Sequence, residues 1–422
     1  MTASSPTYQS GLFKHSVILL VATQIGNVSN LLFQVLMIRS LSLAEYGILA
    51  SMLSLILIIG TPLDALRTTV AHQTAWLLRG DQGGAIVSFL WRWARFLMVI
   101  ACVILVAGVL MSAPVSQFFQ MPSRAPFLLS VIIMATSLFI PFFAGAFQGM
   151  QAFGWMAAHG QVWGVIRYVL ALFLVMFIAQ SAVIGLSAHA AGVVVSFLVG
   201  LFALIFLLKP HRPAELTVQF SDISYFWLSL LSMVGFAVLM NADVALVKRF
   251  FSPDDAGVFA QAATIGRAII FLPLPIAGAM FPKVVSTGKS SSLDRRILKL
   301  AILYTLGIIA LSGLICTLAA SPLWLLFTGD VADDRTKMLV RWMIWAMAPM
   351  GLTFLLMNYE LAQRRFRAPL SLLALAALYV IGVAVWHDTF EQVLTILSIV
   401  SVTSLLVMLF DALRKHHHEN RF

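Results

Sequence analysis

Two arginines stand inside long apolar runs, Arg167 in GQVWGVIRYVLALFLV and Arg267 in AQAATIGRAIIFLP. An ionised side chain in such a run is costly, so it calls for a partner or a task. A guanidinium presents parallel N–H donors in a planar fork, a geometry that fits phosphate oxygens. Gln261 and Thr264 precede Arg267 at intervals of three, which puts the three groups on one helical face. Asp243 lies on the preceding run, so Arg267 has two readings: contact with an anionic ligand, or an internal ion pair. Arg167 differs, because no Asp or Glu occurs between Asp81 and Glu215. Its readings are a free cation lining a cavity, or a side chain that snorkels toward the interface or a distant partner.

The other polar groups are weaker signals. Gln24, Asn27, Asn30 and Gln34 fall within an arc of about 120° at helical spacing, a stripe facing protein or a cavity rather than lipid. Such amides either bond neighbouring helices or meet sugar hydroxyls. Asp64 and Arg67 are three apart and form either a pair within their helix or a gate at the entry to a cavity. Glu360 and Arg364 have the spacing and order of an interface pair. Asp243 is the deepest acid and the candidate for ion or proton coupling. Cys102 and Cys316 are too few for a disulfide framework or a metal site and are read as small apolar packers. The residues imply no cofactor, and His416–His418 read as a solvated end.

What positions these groups is a series of membrane spans. Hydrophobic residues make up 61% of the 422, charged residues 10%, and mean hydropathy is +0.96. A soluble chain carries about 25% charged residues, so most of this surface must face hydrocarbon. An all-α polytopic membrane protein follows, with twelve transmembrane helices near 12–38, 46–78, 86–112, 127–150, 159–180, 183–208, 222–248, 256–287, 297–319, 338–360, 369–386 and 391–413. Nothing between them is long enough for a soluble or nucleotide-binding domain. The first span shows no cleavage site and reads as uncleaved. Pro273 and Pro275 would let the eighth span bend.

The net charge of +10 is explained by topology rather than nucleic acid. With a cytoplasmic N-terminus, eighteen Lys and Arg fall inside and seven outside, Arg167 and Arg267 completing the 27. Both termini are therefore expected in the cytoplasm. The segment 209–221, KPHRPAELTVQFS, reads as a cytoplasmic linker between a six-helix lobe at 1–208 and another at 222–413, with a tail at 414–422. The lobes share a pattern: RSLSLAEYGIL after the first span matches RFFSPDDAGVF after the seventh at a shift of 210, aligning Ser42 with Ser252, Glu45 with Asp255 and Gly47 with Gly257. Two six-span copies keep the same orientation, related by a pseudo-twofold along the membrane normal. Ser42 and Ser252 each precede an acid by three, the spacing of a helix cap.

RSLSLAEYGIL, FQGMQAFG (147–154), DVALVKRFFSPDDAGVFAQAATIGRAIIFLP (243–273) and MFPKV (280–284) together resemble the polysaccharide-biosynthesis transporters. That family includes O-antigen-type flippases, within the superfamily of multidrug-and-toxin extruders and lipid II flippases. The resemblance implies alternating access for a polyprenyl-pyrophosphate-linked oligosaccharide in the bacterial cytoplasmic (inner) membrane. It implies a monomer without cofactor, embedded in membrane lipid, with glycan polymerase and glycosyltransferase partners. On that reading Arg167, Arg267, Gln261, Thr264, Gln24 and Asn27 bind substrate, Asp243 couples an ion, and Asp64 with Arg67 gates. The lipid II flippases carry two further spans after the twelfth, which implies another cargo here. The rival readings are a drug exporter or another lipid flippase of the superfamily, and a membrane glycan polymerase. The polymerase requires a large extramembrane segment, whereas the connection at 321–338 is short and lacks a His or Cys cluster.

Overall fold

A computed structural model describes residues 6–79, 83–209, 223–287 and 292–418. It is helical throughout, with no strand among the described residues. α1 is Pro6–Ser40; α2, Leu43–Gly60, passes through a 3-10 turn at Thr61–Leu63 into α3, Asp64–Arg79. α4 is Gly83–Phe118, and the fourth span divides into α5, Ala125–Ser137, and α6, Phe139–Gly149. α7, Phe153–Phe177, and α8, Ala182–Leu208, form the tight hairpin of the fifth and sixth spans, and Ser181 caps α8. α9 is Ile223–Phe250. The eighth span then comes in three pieces, α10 at Pro253–Gly266, α11 at Ala268–Phe271 and α12 at Leu274–Thr287. α13 (Ser292–Leu318), α14 (Ala320–Thr328), α15 (Asp334–Ala362), α16 (Arg367–Val385) and α17 (Phe390–His418) complete the chain.

Twelve of these stretches are long and apolar enough to cross a membrane, and their order is the one expected. Large side chains such as Leu110, Phe177 and Leu318 lie open on the outside, a surface that suits hydrocarbon and not water. Cys102 lies on that open surface rather than in the packing, which corrects its reading as a packer. Of the expected linker, residues 210–221 lie outside the described residues; in the expected tail, α17 continues to His418.

The chain divides into two compact units, residues 1–41 with 63–226, and 42–62 with 227–422. In the first, α7 packs on α8 and α1, and α3 packs on α6. Gly145 and Gly149 make the α3–α6 approach possible, since a Cβ on either would press on the backbone carbonyl of Arg67 or Ala71. Small residues four apart serve in this way where helix packing must replace the hydrophobic effect.

In the second unit, α15 packs against α10, α12, α13 and α17, while α2 lies along α10. The expected caps are both present. The Ser42 hydroxyl accepts from the Glu45 N–H at 3.3 Å, and that of Ser252 from the Asp255 N–H at 3.2 Å. Gly47 and Gly257, 210 residues apart, meet where the two capped helices cross; a Cβ on Gly47 would lie 3.2 Å from the Gly257 nitrogen. α14 was not expected. It fills part of the connection read as a loop, ends on left-handed Gly329 at φ 86°, and is followed by Asp333, which caps α15. Hydrogen bonds from Thr336 hold the Asp333 carboxyl below the usual carboxylate range.

Candidate functional site

Arg167 is deeper than its sequence position implied. α7 begins at Phe153, so Arg167 stands fourteen residues from one end and ten from the other, about 21 Å and 15 Å along the axis. It is 5% exposed. One terminal nitrogen donates to Asn30 Oδ1 on α1 at 2.7 Å, and the other to His189 Nδ1 on α8 at 3.1 Å. Arginine has no acceptor, so His189 must accept through a bare Nδ1 and is therefore neutral. The guanidinium carbon sits 4.0 Å from the Phe33 ring centre and 4.9 Å from that of Trp163, placed to gain from both ring faces. Trp163 in turn stacks on His189. Nε has no hydrogen-bond partner.

No carboxylate among the described residues enters this cage. Among the described residues of the first unit, Asp64 is the one acid, and it is taken up elsewhere. Arg167 is thus held by neutral amide, imidazole and aromatic groups, with its positive charge uncompensated. The stripe on α1 leads to it: Gln24 and Asn27 are exposed, Asn30 is half-buried, and each is one turn from the next.

Arg267 is placed otherwise. It stands at the break between α10 and α11, where its backbone caps α10. Its Nη2 donates to Asp243 Oδ1 on α9, and Asp243 is wholly buried. Of its two readings, then, the ion pair is the one formed. Asp243 Oδ2 and Arg267 Nε have no hydrogen-bond partner, nor has the buried hydroxyl of Tyr379 on α16, which lies within electrostatic reach of both charges. Gln261 is buried. Thr264 bonds Tyr46 of α2 at 2.9 Å and its own helix at Ala260. The eighth span also bends at Leu272–Pro273 and the second at Pro62, so Arg267 marks a break in addition to the proline one.

Asp64 and Arg67 form their pair within the first turn of α3, at 3.3 Å, with both side chains more than a third exposed. Glu360 is fully buried near the end of α15. No cluster of three or more potential metal ligands occurs among the described residues. Sequence reasoning missed His189, Phe33, Trp163 and Tyr379. A histidine 22 residues after the arginine, in an equally apolar run, was the one available hint.

No protein-family model matches this sequence, and no curated protein matches it. Solved structures do. An inward-facing multidrug resistance MATE family transporter of the MOP superfamily superposes with a TM-score of 0.73 at 13% identity, over 96% of this chain and 99% of the other. The lipid II flippase MurJ in an inward closed conformation gives 0.71 at 13% identity, over 94% and 87%. A MOP superfamily transporter from Pyrococcus furiosus, described by a reversed polarity of its binding pocket, gives 0.61 at 14%, over 94% of each. At such identities the likeness is one of fold. The chain is a multi-pass membrane protein, and its fold is like that of these solved proteins, drug extruders and a lipid flippase among them.

Proposed function

We propose that the protein is a flippase for an anionic lipid-linked cargo, a polyprenyl-pyrophosphate-linked oligosaccharide, working by alternating access of lobes at 1–208 and 222–413. The observation that carries this reading is the uncompensated charge of Arg167. Burying a guanidinium without a carboxylate costs several kcal/mol, and a pyrophosphate supplies the missing negative charge. The aromatic and amide cage fixes the fork in place before the anion arrives, which lowers the ordering cost of binding. Gln24 and Asn27, exposed on the same helix, suit the hydroxyl groups of an attached glycan. Arg267 enters the cycle as half of a pair that opens, with Asp243 as the group released. The inner membrane, cytoplasmic termini, monomeric state and glycan-assembly partners belong to the same proposal.

The runner-up, export of cationic drugs, draws on the MATE likeness but meets a unit whose one described acid is paired at its edge. The deciding experiment reconstitutes the protein in proteoliposomes with a fluorescent pyrophosphate-linked glycolipid and, separately, a cationic dye. Movement of the glycolipid, abolished in Arg167→Ala, supports the proposal. Dye transport with the glycolipid left in place overturns it.

A further inference from the structure

The N-terminal end of α15 carries a cleft of about 550 Å³, lined by Asp334, Lys337, Met338, Arg341, Trp342 and Trp345. None of these belongs to the sites described above, and the cleft lies within one unit. We infer that it binds the headgroup of an anionic membrane phospholipid, with the acyl chains lying along α13.

The cleft is fixed from both sides. Trp342 donates its indole N–H to Ser398 on α17 at 3.2 Å, and Trp345 donates to the Thr317 hydroxyl on α13 at 3.0 Å. Both indole donors are thereby used. Gly313 lets the ring of Trp345 lie close against α13, where a Cβ would already stand 3.3 Å from it. Arg341 Nε donates to the Thr317 carbonyl at 3.2 Å. That bond turns the guanidinium while its two terminal nitrogens remain without a partner among the described residues, a fork open to phosphate oxygens.

Charge and polarity select the ligand. Lys337 pairs with Asp334 at 3.0 Å, but Asp334 is fully solvent-exposed, so that pair is weak and open to exchange. Two cations against one acid leave the cleft net positive. Polarity falls along the axis, from Asp334 and Lys337 to Arg341, then to Trp345 about 16 Å from the helix start. On α13 the neighbouring Leu311, Leu314, Ile315 and Leu318 are all exposed. A charged end, an indole layer and an open aliphatic strip match the profile of a lipid from phosphate to chain. A soluble sugar or peptide would have no use for the strip. The inference does not rest on the cargo proposed above.

The test uses the purified full chain and native mass spectrometry with phosphatidylglycerol or phosphatidylcholine of identical acyl chains. Wild type should retain phosphatidylglycerol preferentially, and Lys337→Gln with Arg341→Gln should lower its occupancy by roughly tenfold, the worth of a lost charge-assisted bond. Both positions lie at the surface end of α15, and Arg341→Lys, which keeps the charge but not the fixed fork, should be intermediate. Inorganic phosphate in excess should displace little of the lipid. Equal retention of the two lipids, an unchanged double variant, or full displacement by phosphate would each overturn the inference.

Discussion

Replacing Arg167 by Met separates a cargo-binding arginine from a structural one. Methionine keeps an unbranched, apolar stem of similar length but gives up the guanidinium carbon that lies over the Phe33 and Trp163 rings. It removes two hydrogen bonds to Asn30 and His189, each worth about 1.5–3 kcal/mol when the donor is charged. It also removes a buried charge with no counter-ion, whose desolvation costs several kcal/mol. The two terms nearly cancel, so stability should move by no more than about 2 kcal/mol in either direction. Transport should fall by roughly tenfold to a hundredfold, the worth of one charge-assisted phosphate contact or more. The assay pairs glycolipid movement in proteoliposomes with the apparent Tm of the detergent-purified protein. A variant that flips cargo at the wild-type rate refutes the reasoning. So does one that loses stability heavily, because the arginine would then be a structural strut.

The pair in the second unit should behave in the opposite way. Asp243→Asn leaves Arg267, whose side chain is 12% exposed, without its counter-charge and should lower stability by about 3–5 kcal/mol, most of which Arg267→Gln in the same chain should restore; thermal unfolding of the wild type, the single variant and the double variant reads this out. Gly257→Val pushes a side chain into the Leu43 backbone where α2 crosses α10 and should cost about 1–3 kcal/mol or more by overpacking, seen as a lower apparent Tm. Pro273→Ala with Pro275→Ala straightens the bend at 272–273 and should slow transport while expression stays normal; an unchanged rate would show that the break at Arg267 suffices for movement.

Hydropathy made the spans legible because a bilayer demands about twenty apolar residues whatever their order. The caps at Ser42 and Ser252 were equally legible, since a hydroxyl and an acid three residues on act locally. The pairing of Arg267 with Asp243 was one of two readings because both partners are charged and lie on adjacent spans. The cage around Arg167 was not legible. Phe33, Trp163 and His189 look like ordinary packing until α1, α7 and α8 are brought together. Ser42–Pro62 clusters with the second unit through a glycine crossing that local pattern does not encode. α14 escaped notice because nine residues with a polar edge resemble a loop.

The two arginines also bear on what drives transport. The Asp243–Arg267 pair carries no net charge, and Asp243 Oδ1 is already held by the guanidinium, which leaves a coupling cation only the buried Oδ2 while the pair is closed. Arg167 offsets at most one charge of a pyrophosphate. A headgroup with two negative charges moving outward, under the proposed orientation, gains about 2.3 kcal/mol per charge for each 100 mV of inside-negative potential. That is nearly 5 kcal/mol, roughly three orders of magnitude in distribution, enough to set a direction without an ion gradient. A potassium diffusion potential imposed with valinomycin on proteoliposomes should therefore speed glycolipid movement with one polarity and slow it with the other, in the absence of sodium or pH gradients. If the rate ignores the potential but follows sodium or proton gradients, Asp243, released when its pair with Arg267 opens, is the coupling group.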